Sequence, residues 1–258
     1  MTAIAFHSRN MTLRWLRALW RQPWYVAVTL VQPVIWLLLF GALFKRVVQI
    51  PGFQGDSYID FLTPGIVVMT ALFSSGWNGM GMIEDLDRGV MDRFLTSPVR
   101  RAALIVGPVG QSAIVVVIQS LIIVGLALLD GASFAGGVGG VAVVTVCSVL
   151  LGCALAALSN GLALLARKEE TLIAAVNFIV LPLTFLSSGF MPKNLAPGWI
   201  QDISRFNPVN WAIEAGREAL GSSVDWGLVL SRAGLLVAVA LLCGWFATSA
   251  FRSYQSSV

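Results

Sequence analysis

Long apolar runs, parted by short charged or Pro/Gly-containing breaks, dominate the chain. A bilayer core of about 30 Å takes roughly 20 apolar residues of helix. Runs of about that length occupy residues 24–44, 61–83, 104–129, 139–166, 172–188 and 228–250. The breaks hold Lys45-Arg46 with Pro51-Gly52, the stretch from Asp85 to Arg101, Asp130-Gly131, and Arg167 to Glu170. The pattern predicts an all-α polytopic membrane protein with six transmembrane helices in a single domain, residues 1–258. Two other segments read differently. In residues 1–23, Met11, Trp15, Leu16, Leu19 and Trp20 recur on one helical face while Arg14, Arg17 and Arg21 occupy another. Such a basic, tryptophan-bearing amphipathic helix belongs in the membrane interface. Residues 190–227 are too long for a turn and contain Pro192, Pro197 and Pro208. Asn207-Pro208 there is a helix start, an N-cap followed by proline at the first helical position. Val209, Ala212, Ile213, Gly216, Ala219 and Leu220 then make an apolar face, with Asn210, Glu214, Arg217 and Glu218 expected opposite. Its thirteen residues are too few to cross a bilayer. Short re-entrant helices at the outer surface, between the fifth and sixth spans, are the expectation.

Polar and small residues inside the apolar runs fall in stripes. Gln111, Ser112, Gln119 and Ser120 face one way, and Ser148, Gly152, Ala156 and Asn160 form an i, i+4 ladder. Small residues at that spacing let helix backbones approach closely, so both stripes are expected to be packing surfaces. Pro33, Pro64 and Pro182 predict kinks whose freed carbonyls need other partners.

Composition agrees: 57% of residues are hydrophobic and 12% charged, about half the charged share of a soluble domain. Cys147, Cys153 and Cys243 are odd in number and lie in apolar runs, so no disulfide framework is expected. His7 is the only histidine, which argues against an imidazole-built metal site. The net charge of +4 would point to nucleic acid in a soluble protein, but here its distribution between loops matters more. With the N-terminus inside, cytoplasmic segments hold Arg9, Arg14, Arg17, Arg21, Arg88, Arg93, Arg100, Arg101, Arg167, Lys168 and Arg252. Outer segments hold Lys45, Arg46, Lys193, Arg205 and Arg217, with Arg232 near the start of the last run and expected to reach the outer interface or pair with Asp225. The excess of inner cations predicts both termini in the cytoplasm.

The chemistry that is absent narrows the function. Lys45, Lys168 and Lys193 are the only lysines, and none ends a G-x-x-x-x-G-K phosphate loop. No G-x-S-x-G or H-E-x-x-H motif occurs, and carboxylates are scarce in the apolar runs. An intramembrane hydrolase or acyltransferase and a proton-coupled carrier thus lack their usual parts; a passive channel is a further reading without ATP. The richest polar stretch is residues 84–101, including Glu84, Asp85, Arg88, Gly89, Val90, Met91, Asp92, Arg93, Phe94, Leu95 and Pro98. Val90, Met91, Phe94 and Leu95 give it a short apolar face, expected to dock on another protein with Phe94 as anchor.

Two motifs carry a resemblance that covers nearly the whole chain. The loop Asp87-Arg88-Gly89-Val90-Met91-Asp92-Arg93-Phe94-Leu95-Thr96-Ser97-Pro98-Val99 resembles the charged, glycine-containing loop after the second span of type-2 ATP-binding-cassette exporter permeases. The stretch from Ser187-Ser188-Gly189-Phe190-Met191-Pro192 through Pro197-Gly198-Trp199 and Asn207-Pro208 to Arg217 resembles that family's signature after its fifth span. The daunorubicin-resistance-like and nodulation-type permeases are the most similar branches. The resemblance implies a bacterial inner-membrane permease that pairs with a second, identical or related permease. It also implies two copies of a separate nucleotide-binding ATPase, which would carry the ATP and Mg, since no cofactor or metal is expected on this chain. Loop 84–101 and the N-terminal helix would contact those subunits. Substrate would move outward near the permease–permease interface.

Gln32, Met69, Phe73, Asn177, Phe178 and Phe185, on the first, second and fifth apolar runs, are the expected path lining. Methionine and phenylalanine with isolated amides suit an amphipathic drug-like or lipid-like substrate. The alternative is a lipid-linked polysaccharide or teichoic-acid-like polymer, whose path would show aromatic and polar residues at both ends.

Overall fold

A computed structural model describes residues 23–49, 57–90 and 102–255. Every regular element among these residues is helical. The helices are α1 (Pro23–Leu43), α2 (Tyr58–Gly76), α3 (Asn78–Asp87), α4 (Ala102–Leu129), α5 (Gly137–Ala166), α6 (Glu169–Phe185), α7 (Gly198–Ser204), α8 (Pro208–Leu220) and α9 (Trp226–Gln255), with 3-10 turns at Lys45–Gln49 and Lys193–Leu195. Residues 1–22, with Arg14, Trp15, Arg17 and Arg21, lie outside the described residues, as do residues 91–101.

Among the described residues, four helical stretches are long and apolar enough to cross a membrane: Tyr58–Asp87, Leu104–Leu129, Gly137–Ala166 and Trp226–Tyr254. Helix α1 holds 21 residues, whereas the helix of the fifth expected run is shorter. The 17 residues of α6 reach about 25 Å at 1.5 Å each and open on Glu169 and Glu170. Those two carboxylates sit favourably against the positive end of the helix dipole.

Successive long helices alternate in direction, as their contacts show. The start of α2 lies beside the end of α4, where Ser133 N–H donates to Asp60 Oδ1 at 3.0 Å. The end of α8 meets the start of α5, where Gly136 N–H donates to the Leu220 carbonyl at 3.1 Å. At the opposite end of the bundle, the Arg167 guanidinium that follows α5 lies over the Tyr254 ring at 4.8 Å. Helix α5 is central and packs against α2, α3, α4, α6, α8 and α9. The predicted small-residue ladder is what it presents, since Ser148, Gly152, Ala156 and Asn160 are all buried. Ser112, Gln119 and Ser120 of α4 are buried as well. The hydroxyls of Ser112 and Ser75 lie 2.8 Å apart, and Gln119 Nε2 donates to Thr29 Oγ1 at 3.2 Å.

The second run is not one continuous helix. It breaks at Trp77, and the break is tied to neighbouring helices. Asn78 Nδ2 donates to the Pro108 carbonyl at 3.3 Å and Asn160 Nδ2 to Asn78 Oδ1 at 2.8 Å. Ser159 Oγ donates to the Gly76 carbonyl at 2.5 Å and accepts from Gly79 N–H at 3.0 Å. The backbone groups freed at the break are thus satisfied inside the protein, as an apolar surrounding demands.

Helix α8 starts where Asn207-Pro208 predicts. Asn207 Oδ1 accepts from Val209 N–H at 2.9 Å with Pro208 in the first turn. The same side chain donates to the carbonyls of Leu183 and Leu186 at 2.8 and 3.0 Å, satisfying acceptors left over at the end of α6.

Candidate functional site

Helices α1 and α2 flank a cleft of about 80 Å³. Thr29, Gln32, Pro33 and Trp36 line it from α1, and Met69, Thr70, Phe73, Ser74 and Trp77 from α2. Each set follows helical spacing, so one stripe of each helix faces the cleft. The rings of Trp36 and Phe73 meet edge to face with centroids 5.9 Å apart. Phe190 packs behind Trp36, 5.8 Å from it and 5.2 Å from Phe40, again edge to face. Such pairs are favoured by the ring quadrupoles and hold the wall in a defined shape. Thr70 Oγ1 donates to the Ile66 carbonyl at 2.7 Å and Ser74 Oγ to the Ala71 carbonyl at 3.4 Å, both within their own helix. The exposed amide of Gln32 adds polarity to an otherwise aromatic and methionine-rich surface.

Three of the expected path residues, Gln32, Met69 and Phe73, therefore come together. The three on α6 do not join them. Phe178 and Phe185 lie seven residues apart on one face and are 82% and 69% exposed, and Asn177 is half-buried. Trp36 and Trp77 were not among the expected residues. Each stands four positions beyond one that was, Gln32 and Phe73, so extending the stripes by one turn would have found them.

Trp77 also joins α2 to α3, which leads into residues 84–101. Glu84 and Arg88 form an i, i+4 ion pair at 2.5 Å in an exposed setting, where such a pair adds little stability. The helix then stops: Arg88 and Gly89 form a turn, and Gly89 has φ +64°, a conformation glycine adopts without steric cost. Asp85 and Val90 are described, whereas Met91, Asp92, Arg93, Phe94, Leu95 and Pro98 lie outside the described residues.

At the far end of the bundle a polar cluster pins α8. Arg217 Nε donates to the Phe61 carbonyl at 3.1 Å, Nη1 to Ser188 Oγ at 3.1 Å, and Nη2 to the carbonyls of Ser188 and Gly189 at 2.6 and 3.1 Å. Its guanidinium carbon lies 3.5 Å above the centre of the Phe61 ring. Burial lowers the pKa of this group, while Tyr58 and Glu214 act to raise it. Glu214 accepts from Asn210 Nδ2 at 2.8 Å and pairs with Arg232 at 2.9 Å and Lys193 at 3.7 Å. Two expectations are corrected here. Asn210 and Arg217, expected opposite the apolar face, are not turned away from the protein: Asn210 is fully buried and Arg217 is turned onto Phe61 and Ser188. Arg232 pairs with Glu214 rather than Asp225, whose carboxylate instead accepts from Gly227 and Leu228 N–H and caps the start of α9.

The profile of the ABC-2 type transporter family matches residues 9–220. The chain belongs to the ABC-2 type transporter family. The daunorubicin resistance ABC transporter permease protein DrrB1 of Streptomyces coeruleorubidus is 30% identical over 230 residues, covering 87% of this chain and 77% of that protein. The inner membrane transport permease YadH of Escherichia coli is 26% identical over 222 residues, covering 83% of this chain and 85% of that protein. ABC-2 permeases are the membrane subunits of ABC transporters and work with an ATP-binding partner. The apolar helices of this chain fit such a membrane-embedded permease.

Proposed function

We propose that this ABC-2 permease is the membrane half of an ATP-driven exporter for an amphipathic drug-like or lipid-like substrate, taken from the cytoplasm or the inner leaflet. The lining of the α1–α2 cleft carries the reading. Trp36, Phe73, Trp77 and Met69 offer ring faces and a polarisable thioether to an apolar body, and Gln32 offers an amide to a polar edge. The name of the Streptomyces relative, a daunorubicin resistance permease, supports it. With no phosphate loop on the chain, energy comes from two copies of a separate ATPase subunit that bind ATP and Mg. They dock on residues 84–101 and the N-terminal helix. Trp77 lines the cleft and also joins α2 to α3, so motion of the docking segment reaches the cleft through one residue. In this reading α1 and α6 cross the membrane too, giving six spans with both termini in the cytoplasm of a bacterial inner membrane. Residues 190–227 dip into its outer face, and a second permease, identical or related, completes the path.

One observation favours export of a lipid-linked polymer instead. A wider opening of about 700 Å³ lies among the ends of α1, α2 and α4, lined in part by Lys45, Gln49, Ser57, Tyr58 and Asp130. Polar and aromatic groups of that kind suit sugars. The test is ATP-dependent uptake into inside-out vesicles that hold the permease and its ATPase. Daunorubicin should accumulate, and Phe73→Ala should weaken its apparent affinity about tenfold, as losing a buried aromatic contact does. Uptake of a lipid-linked glycan without uptake of daunorubicin would replace this reading with the polymer one.

A further inference from the structure

On the opposite side of α5 from α6, a second groove of about 490 Å³ opens between α4, α5 and α9. Ile105, Val106, Val109, Cys153, Leu241 and Trp245 supply most of its apolar wall, and none of the described lining residues is charged. The floor is made of small residues, Gly110, Ala157, Ala240 and Gly244. Among the described residues, no atom lies within 4 Å of where a Cβ on Gly244 would sit, so the groove is open there to an outside occupant. The groove lies toward the end of the bundle that holds Arg167 and Tyr254, since its α4 residues open that helix and its α9 residues approach the C-terminus. Trp245, 70% exposed, stands at the rim. Arg252 follows on the same helical stripe as Leu241, Trp245 and Thr248 and is exposed about 6 Å further along the axis. An apolar trough that runs toward a cation has the polarity of a phospholipid with a negatively charged headgroup.

We propose that this groove seats an acyl chain of an anionic phospholipid from the surrounding bilayer, with the headgroup phosphate held by Arg252. The site lies apart from the α1–α2 cleft, so lipid binding and substrate transport are separable. A cation near the membrane surface adds about 1 kcal/mol of attraction for anionic lipid, equivalent to about a fivefold preference. The purified permease, delipidated and then titrated with phosphatidylglycerol or phosphatidylcholine, can be weighed by native mass spectrometry, with no ATPase or drug present. Wild type should retain phosphatidylglycerol about fivefold more strongly than phosphatidylcholine. Arg252→Gln should bring the two lipids to parity. Gly244→Leu, which fills the groove where nothing is displaced, should lower retention of both. Thermal unfolding of each variant without lipid checks that the fold is kept. Equal retention of both lipids by wild type, or undiminished retention by a folded Gly244→Leu, overturns the proposal. So does loss of a permease dimer in Gly244→Leu with lipid retention unchanged, which would make a second copy the occupant.

Discussion

Arg217 shows how much one residue holds at the far end of the bundle. Its guanidinium reaches four acceptors on α2 and on the Ser188-Gly189 turn while resting on the Phe61 ring. A planar fork with fixed donors can do this, and the single ammonium of lysine cannot. Arg217→Ala would leave buried carbonyls without donors, a loss of about 3 kcal/mol or more by analogy with other broken buried charge networks. Arg217→Lys should recover only part of it. Unfolding of the detergent-solubilised protein by dodecyl sulfate should rank wild type above lysine and lysine above alanine. Arg205→Ala is the comparison, because Arg205 and Asp202 are mostly exposed and 3.8 Å apart, and it should change stability by less than about 0.5 kcal/mol. From sequence, Arg217 belonged to a polar helix face. Its role depends on Ser188 and Phe61, 29 and 156 positions away, which no local pattern announces.

At the scale of elements, α5 organises the bundle because small residues on it let its neighbours come close. Gly136 and Gly140 let the end of α8 approach so closely that a Cβ on either would collide with the Ala219 carbonyl. That obstacle is backbone, not the tip of a flexible side chain, so Gly140→Val must push α8 away. A cost of about 1–3 kcal/mol is expected, as for overpacked cores. Gly125→Ala in α4 should act in the opposite sense. Its added methyl meets none of the described residues within 4 Å, and replacing a helical glycine gains up to about 1 kcal/mol. Measured side by side, the two substitutions should shift the unfolding midpoint in opposite directions. The i, i+4 ladder on α5 was legible in sequence as a packing surface. The break at Trp77 was not, because a run of apolar residues reads the same whether its helix is continuous or interrupted by hydrogen bonds from Ser159 and Asn160.

For the whole molecule, the Lys193–Glu214 pair places Lys193 at the Arg217 end and Arg167 stands at the other; in the proposed orientation the Arg167 end faces the cytoplasm. Single cysteines in a background lacking Cys147, Cys153 and Cys243 make this measurable in intact cells. An impermeant thiol reagent should label Lys193→Cys and Trp199→Cys and spare Arg167→Cys until the membrane is opened. The reverse labelling would invert the orientation.

The apolar runs, the start of α8 at Asn207-Pro208 and the small-residue ladder were all present in the sequence by itself. Each rests on local physics: the length needed to cross a bilayer, a side chain that caps its own helix, or a spacing that repeats with the turn. Three of the nine residues lining the α1–α2 cleft, Gln32, Met69 and Phe73, were also named from the sequence, by residue type. Tertiary structure decided which stripes meet. It turned Phe178 and Phe185 outward, joined Trp36 and Trp77 to the cleft, and gave Arg232 to Glu214 instead of Asp225. Those outcomes depend on the rotation of each helix about its axis. In a chain whose helices are apolar nearly all round, periodicity leaves that angle open until the neighbouring helices pack against them.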